Sequence, residues 1–160
     1  MIDLPQIHAD LTPLAIYGIT VLYCLVGSLI PIFNTEAYLM AAALFLAPEL
    51  RLPLVLIATL CQMLGKGLVF LSGKGLIHLP LRRYDDKIER IRKKFEKWKN
   101  KPDLFLMVSS GTSIPPFYFV SIFYGMLKYN YFRYMLFGFI GFGLRFAFVS
   151  YLPKLAEKIF

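Results

Sequence analysis

Histidine, cysteine and tryptophan are nearly absent from this chain, which has two, two and one of them among 160 residues. His8 and His78 stand alone, Cys24 and Cys61 sit inside apolar stretches, and no further ligand stands at metal-binding spacing. No metal site is therefore expected. The two cysteines read as small core residues and say nothing about redox compartment. No nucleophile, base and orienting group can be placed together, so acyl or phosphoryl hydrolysis lacks support and the chain is not expected to be an enzyme. Glycine-flanked Lys66 and Lys74 lack the spacing and the Lys-Ser or Lys-Thr pair of a P-loop, so no nucleotide or other cofactor is expected. Close helix packing accounts for those glycines and for Gly138, Gly141 and Gly143. Charge is scarce as well: outside the segment from Arg82 to Lys101 the other 140 residues contribute only +2 of a net +8.

What is abundant is apolar. Hydrophobic residues make up 58% of the chain, aromatics 16%, and the mean hydropathy is +0.59. That exceeds what one soluble core needs, so the bilayer is the expected solvent of a single membrane domain, 1–160. At about 20 residues per span there is room for roughly four or five embedded segments. The run from Pro13 to Ile30 has no charge and predicts a crossing helix. Met1 to Asp10 carries no basic leader and no small-residue cleavage site follows, so this span is expected to be retained. From Leu29 to Ala47 a shorter apolar stretch carries Pro31, Asn34, Thr35 and Glu36 near its start. Leu52 to Phe70 and Tyr131 to Leu152 predict two further crossings.

Ten Lys or Arg and four Asp or Glu crowd the segment between Arg82 and Lys101. Within it Ile88, Ile91, Phe95 and Trp98 recur every three or four residues, the pattern of a helix lying on a membrane surface. Arg82, Arg83, Arg90, Lys93, Lys94, Lys97 and Trp98 are expected to meet anionic headgroups on the cytoplasmic face, by the positive-inside rule, rather than nucleic acid.

After Pro102 the apolar pattern is broken by Ser109, Ser110, Gly111, Thr112 and Ser113, then Pro115 and Pro116. Helix cannot run through two prolines, and the freed backbone groups must be buried in protein or line a watery cavity. Ile30-Pro31-Ile32-Phe33 matches Ile114-Pro115-Pro116-Phe117 at an offset of 84. The reading is an all-α integral membrane protein built as an inverted repeat. A first half, 12–78, holds a re-entrant hairpin at 29–47; an amphipathic linker occupies 80–101; a second half, 102–160, holds a re-entrant hairpin at 103–127. The hairpins face one another between about three full spans. Three crossings scarcely enclose a cleft, so a homodimer is an open expectation.

Glu36 is the sharpest signal, because an ionised carboxylate in an apolar segment costs about 2.5–3.5 kcal/mol on insertion scales unless paired or hydrated. Arg145, some 14 residues into the last run, is the preferred partner for Glu36 or for a lipid phosphate, since its fork grips either. The opposing reading has Arg145 snorkel to headgroups and Glu36 sit at a wet helix start beside Asn34. Lys66 has the same two readings. Ser110, Thr112 and Ser113 either hold a phosphate or satisfy the broken backbone.

The stretches Ile30 to Ala47 (IPIFNTEAYLMAAALFLA), Gly65 to Gly75 (GKGLVFLSGKG) and Ser109 to Arg145, with SIPP, YGML, YFRY and GFGLR, resemble the VTT-domain family, also called DedA or SNARE-associated Golgi proteins. The resemblance implies two re-entrant hairpins facing each other and transport of lipids between leaflets, among them phospholipids and polyprenyl phosphates. Glu36 matches the acidic residue of the family's first hairpin and Pro115 the proline of the second. Gly73 falls on the glycine after the mid-helix polar position. Thr112 and Tyr118 stand where arginines are usual, Lys66 where an acidic residue is common, and Arg145 where a tryptophan is usual. The scaffold carries over more fully than a proton-coupled exchange built on two carboxylates and two arginines. The expected function is a small transporter or scramblase of a phosphate-bearing lipid in a bacterial or archaeal plasma membrane. A proton- or ion-coupled exporter of a small solute and a non-transporting membrane scaffold remain as rivals.

Overall fold

A computed structural model describes residues 13–30, 34–75 and 85–159. Pro31, Arg82 and Arg83, to which the sequence assigns a hairpin break and headgroup contacts, lie outside these residues. Among the described residues there are seven α-helices and no strand. α1 (Pro13–Leu29) contains no charged residue. α2 (Thr35–Leu44) starts where Asn34 Oδ1 accepts the backbone N–H groups of Glu36 and Ala37 at 3.2 and 3.1 Å. That cap satisfies donors left open at a helix start. A 3-10 turn at Pro48–Leu50 leads into α3 (Arg51–Gly73), and α4 (Asp85–Glu96) carries the basic segment. α5 (Pro102–Thr112) has proline in its first turn and ends at Ser113, whose φ of 54° is left-handed. α6 (Phe117–Met126) and α7 (Tyr131–Ile159) follow.

Side-chain contacts fix the helix directions. Tyr17 donates to the carbonyl of Leu50 (3.0 Å) and Lys66 to that of Ser28 (2.5 Å), so α1 and α3 run parallel. α2 folds back along α1: Tyr38 stacks on Tyr23 at 4.3 Å and meets Thr20 Oγ1 at 2.8 Å, while Ala42 and Phe45 lie beside Ile16 and Ile19. The second half repeats the plan. Tyr124 donates to the carbonyl of Pro102 (2.6 Å), folding α6 back on α5. Arg133 lies 3.8 Å from Asp103, and Arg145 reaches Ser113, so α7 runs parallel to α5. Phe70 meets both Tyr131 (5.6 Å) and Tyr134 (4.5 Å), while the Cβ position of Gly138 abuts Met63, which makes α3 and α7 antiparallel.

Two of the glycines show how closely the halves approach. A Cβ on Gly73 of α3 would collide with the carbonyl of Ile122, and one on Gly125 of α6 with the carbonyl of Phe70. Backbone meets backbone there, and only glycine fits. Gly143 differs from the packing expectation, because Thr59 Cγ2 at 3.9 Å is ordinary contact, and Gly75 occupies a left-handed position with open space around it. Nearby, the Tyr134 hydroxyl donates to Ser121 Oγ (2.6 Å), which donates to the carbonyl of Phe117 (2.8 Å), tying α7 to α6 without an unpaired hydroxyl.

The outer faces are apolar. On α3 Leu52, Leu56, Leu60, Leu64 and Leu68 are all exposed, and on α7 Phe132, Leu136, Ile140, Leu144, Phe148 and Leu152 are exposed too. Both ridges repeat every four residues, along about 24 and 30 Å of helix at 1.5 Å per residue. The inward side of α3 holds Thr59, Gln62, Lys66 and Ser72. An apolar outer face around a core that includes polar side chains departs from a soluble bundle and matches a bilayer of about 30 Å hydrocarbon thickness.

Two sequence expectations need correction. Two helices, not about three, have crossing length and composition among the described residues: Pro48–Gly73 and Tyr131–Leu152. α1, Pro13–Leu29, is an apolar helix of 17 residues, about 25 Å. Nor does the apolar face of α4 lie free for a membrane surface. Ile91 is 3% exposed, and the Phe95 ring meets Phe105, Phe123 and Tyr124 edge-on at 5.3–5.7 Å, so α5 and α6 cover that face. Trp98 falls in the turn beyond α4.

Candidate functional site

The start of α2 and the non-helical stretch at 113–116 border one cleft of about 420 Å³. Asn34 and Glu36 enter it from the start of α2, Ser113 and Tyr118 from either side of the second break, and Gln62, Lys66 and Arg145 from α3 and α7. The positions follow from local structure. Glu36 stands in the first turn of α2, where the partial positive charge of the helix end favours a carboxylate. Ser113 ends α5 in a left-handed conformation that turns the chain at the cleft.

Arg145 joins the pieces. One guanidinium nitrogen donates to Glu36 Oε1 and the other to Ser113 Oγ, so a residue of α7 holds the start of α2 and the end of α5 at once. Its side chain is 17% exposed against 38% for Glu36, which places the cation deeper than the anion. Lys66 is 5% exposed; its ammonium donates to the Ser28 carbonyl in the last turn of α1 and lies 5.1 Å from the Tyr118 ring centroid. A cation at the negative end of a helix and over an aromatic face is doubly favoured. The cleft thus presents two cations and one carboxylate, a balance that suits an anionic group.

The structure gathers Asn34, Glu36, Lys66, Ser113 and Arg145, with Pro116 in the wall. It does not gather Ser110 or Thr112. Ser110 Oγ donates to the Met107 carbonyl (2.9 Å), and Thr112 donates to that of Val108 (2.8 Å) while accepting Ile114 N–H (3.2 Å). Those hydroxyls satisfy the backbone of the break itself. Pro115 and the basic residues Arg90, Lys93, Lys94, Lys97, with Trp98, line other clefts. Gln62 escaped the sequence reading: it is 7% exposed, and its Oε1 has no hydrogen-bond partner among the described residues. Its signal was a polar side chain one turn before Lys66 on the same face of an apolar helix.

In the loop beyond α6, Tyr129 donates to the Asp103 carboxylate. Burial, then that carboxylate, pushes its hydroxyl up to about 12. Among the described residues no group of His, Cys, Asp or Glu is arranged to hold a metal ion.

A family model of the VTT domain matches residues 30–154, a stretch that contains every residue named in the cleft. No curated protein and no solved structure matches the chain.

Proposed function

The chain belongs to the VTT-domain family, whose members are membrane-associated, and from that premise we propose that it carries a phosphate-bearing lipid headgroup between leaflets through the central cleft. In this reading α1–α2 and α5–α6 are two re-entrant hairpins of an inverted repeat, and α3 and α7 are the spans that flank them. The antiparallel course of α3 against α7, with the same helix order in each half, supports the inversion. So does length: α2, α5 and α6 have 10, 11 and 10 residues. Each covers about 15–17 Å, half of the hydrocarbon core. Non-helical backbone at such depth is tolerated only where protein or a watery cavity shelters it, which is where substrate sites of inverted-repeat transporters lie.

The observation that carries the proposal is the Arg145 bridge between Glu36 and Ser113 at the wall of a cleft lined from the start of α2 and from the 113–116 stretch. A phosphate offers Arg145 the same two-oxygen geometry as a carboxylate, so an arriving headgroup competes with Glu36 for the guanidinium. Lys66 adds a second cation, and Gln62, whose Oε1 has no partner among the described residues, adds a polar group to the wall. The acyl or prenyl tails remain in the bilayer, against the leucine ridges.

A leaflet-flip assay with purified protein in liposomes tests this, using labelled phospholipids and a labelled polyprenyl phosphate. Accelerated exchange is expected for at least one of them, slowed tenfold or more by Arg145→Leu. Failure to accelerate any of these lipids sinks the proposal. A pH-driven small-solute flux without lipid movement assigns the cleft to an exporter instead.

A further inference from the structure

On the other side of the second break, away from the central cleft, lies a second polar-rimmed groove. One part, of about 300 Å³, is bounded by Lys93, Lys94 and Lys97 of the basic segment, by Trp98, and by Ser109 and Pro115. Past Lys93, Lys94 and Pro115, which belong to both parts, it widens into about 610 Å³ floored by Ile91, Phe119 and Pro116 with Arg90 at the edge. The cations stand on one wall and the apolar surface forms the floor.

We infer that this groove binds an anionic lipid, its phosphate at Lys93, Lys94 and Lys97 and one chain along the floor from Trp98 past Pro115 to Phe119. Three observations meet here. None of the three lysines has an ion-pair partner among the described residues, and Glu89 of the same helix pairs with Arg92. Ser109, 1% exposed, lines the groove with an Oγ that has no hydrogen-bond partner among the described residues. And the floor runs out to Ile114 and Val108, which are 70% and 37% exposed and so open the groove to surrounding hydrocarbon. A free phosphate or a nucleic acid has no use for that floor. A zwitterionic lipid brings its own cation to the lysines, which leaves a net negative headgroup as the complementary charge. This site shares no cation with the central cleft and does not depend on transport.

The chain contains a single tryptophan, and it stands in the wall of the groove, so its emission reports occupancy directly. The purified full chain in phosphatidylcholine nanodiscs is titrated with phosphatidylglycerol or phosphatidylcholine carrying brominated chains, which quench an adjacent indole. The anionic lipid is expected to reach half-quenching at a mole fraction about fivefold lower. The triple change Lys93→Gln, Lys94→Gln, Lys97→Gln is expected to bring the two lipids to parity. Val108→Phe, which fills the groove and leaves every charge in place, is expected to do the same. Equal quenching of the wild type by both lipids overturns the inference. A preference that survives Val108→Phe also overturns it, since the lysines then act as diffuse surface charge. Relief of quenching by inorganic phosphate at matched concentration assigns the lysines to a free anion and removes the lipid.

Discussion

Arg145 of α7 and Glu36 of α2, 109 positions apart in the chain, form an ion pair across the central cleft. Removing one partner leaves the other partly buried. Arg145→Leu is expected to destabilise the fold by about 1–2 kcal/mol, below the 3–5 kcal/mol of a fully buried pair because solvent reaches Glu36. Adding Glu36→Gln to that variant is expected to recover part of the loss. Thermal unfolding in detergent of the two single variants and the double variant measures the coupling. Additive losses would mean the pair contributes nothing to stability.

Gln62 separates function from stability. Its Oε1 is buried with no partner among the described residues, so Gln62→Leu removes a desolvated group and is expected to leave Tm unchanged or to raise it. The same variant is expected to slow lipid exchange several-fold, because it removes a polar group from the cleft wall. Parallel Tm and flip measurements check both halves. A slower variant that is also less stable would identify Gln62 as a packing residue.

The charged members of the cleft were legible in the sequence because a charge inside an apolar run demands a partner, and Glu36 and Arg145 were the two whose partners had to be found. The second break was legible because two adjacent prolines forbid helix at any depth. Ser110 and Thr112 were not separable from Ser113, since a hydroxyl near a break serves equally a ligand or its own helix, and sequence carries no direction for it. The span count differed at α1, because an uncharged run from Pro13 to Ile30 gives no exact helix length, and the 17 residues of α1 fall short of the two longer candidates. The apolar face of α4 is legible from its periodicity, but periodicity names no occupant, and around Phe95 that occupant is Phe105, Phe123 and Tyr124.

Gly125→Ala places a methyl group against the Phe70 carbonyl, and Gly73→Ala does so against that of Ile122. Each is expected to cost about 1–3 kcal/mol, since backbone on the other side yields little. Gly143→Ala, facing ordinary contact only, is expected to change stability by less than about 0.5 kcal/mol. Detergent-solubilised Tm values for the three variants decide this. Equal tolerance at all three positions would mean that α3 and α6 do not touch there.

Tyr129 is held protonated by burial and by its bond to Asp103. An acid whose folded value is raised stabilises fully below its unfolded value, about 10, and loses that contribution as pH climbs through the folded value of about 12. Tyr129→Phe is therefore expected to lower Tm by a constant amount between pH 6 and 9. The gap to wild type is expected to close above about pH 10. A gap that instead changes between pH 6 and 9 would point to another titrating group.

The ridges of Leu56, Leu60, Leu64 and Leu68 on one helix, and Leu136, Ile140 and Leu144 on the other, touch little of the protein's own interior. Replacing one of these leucines by alanine should barely disturb a chain already assembled in a micelle. Replacing it by lysine should instead be felt earlier, as a nascent helix that partitions badly at the translocon and never arrives. On that expectation the outer surface answers to insertion before it answers to folded stability, and a screen that scores only purified material will overlook it.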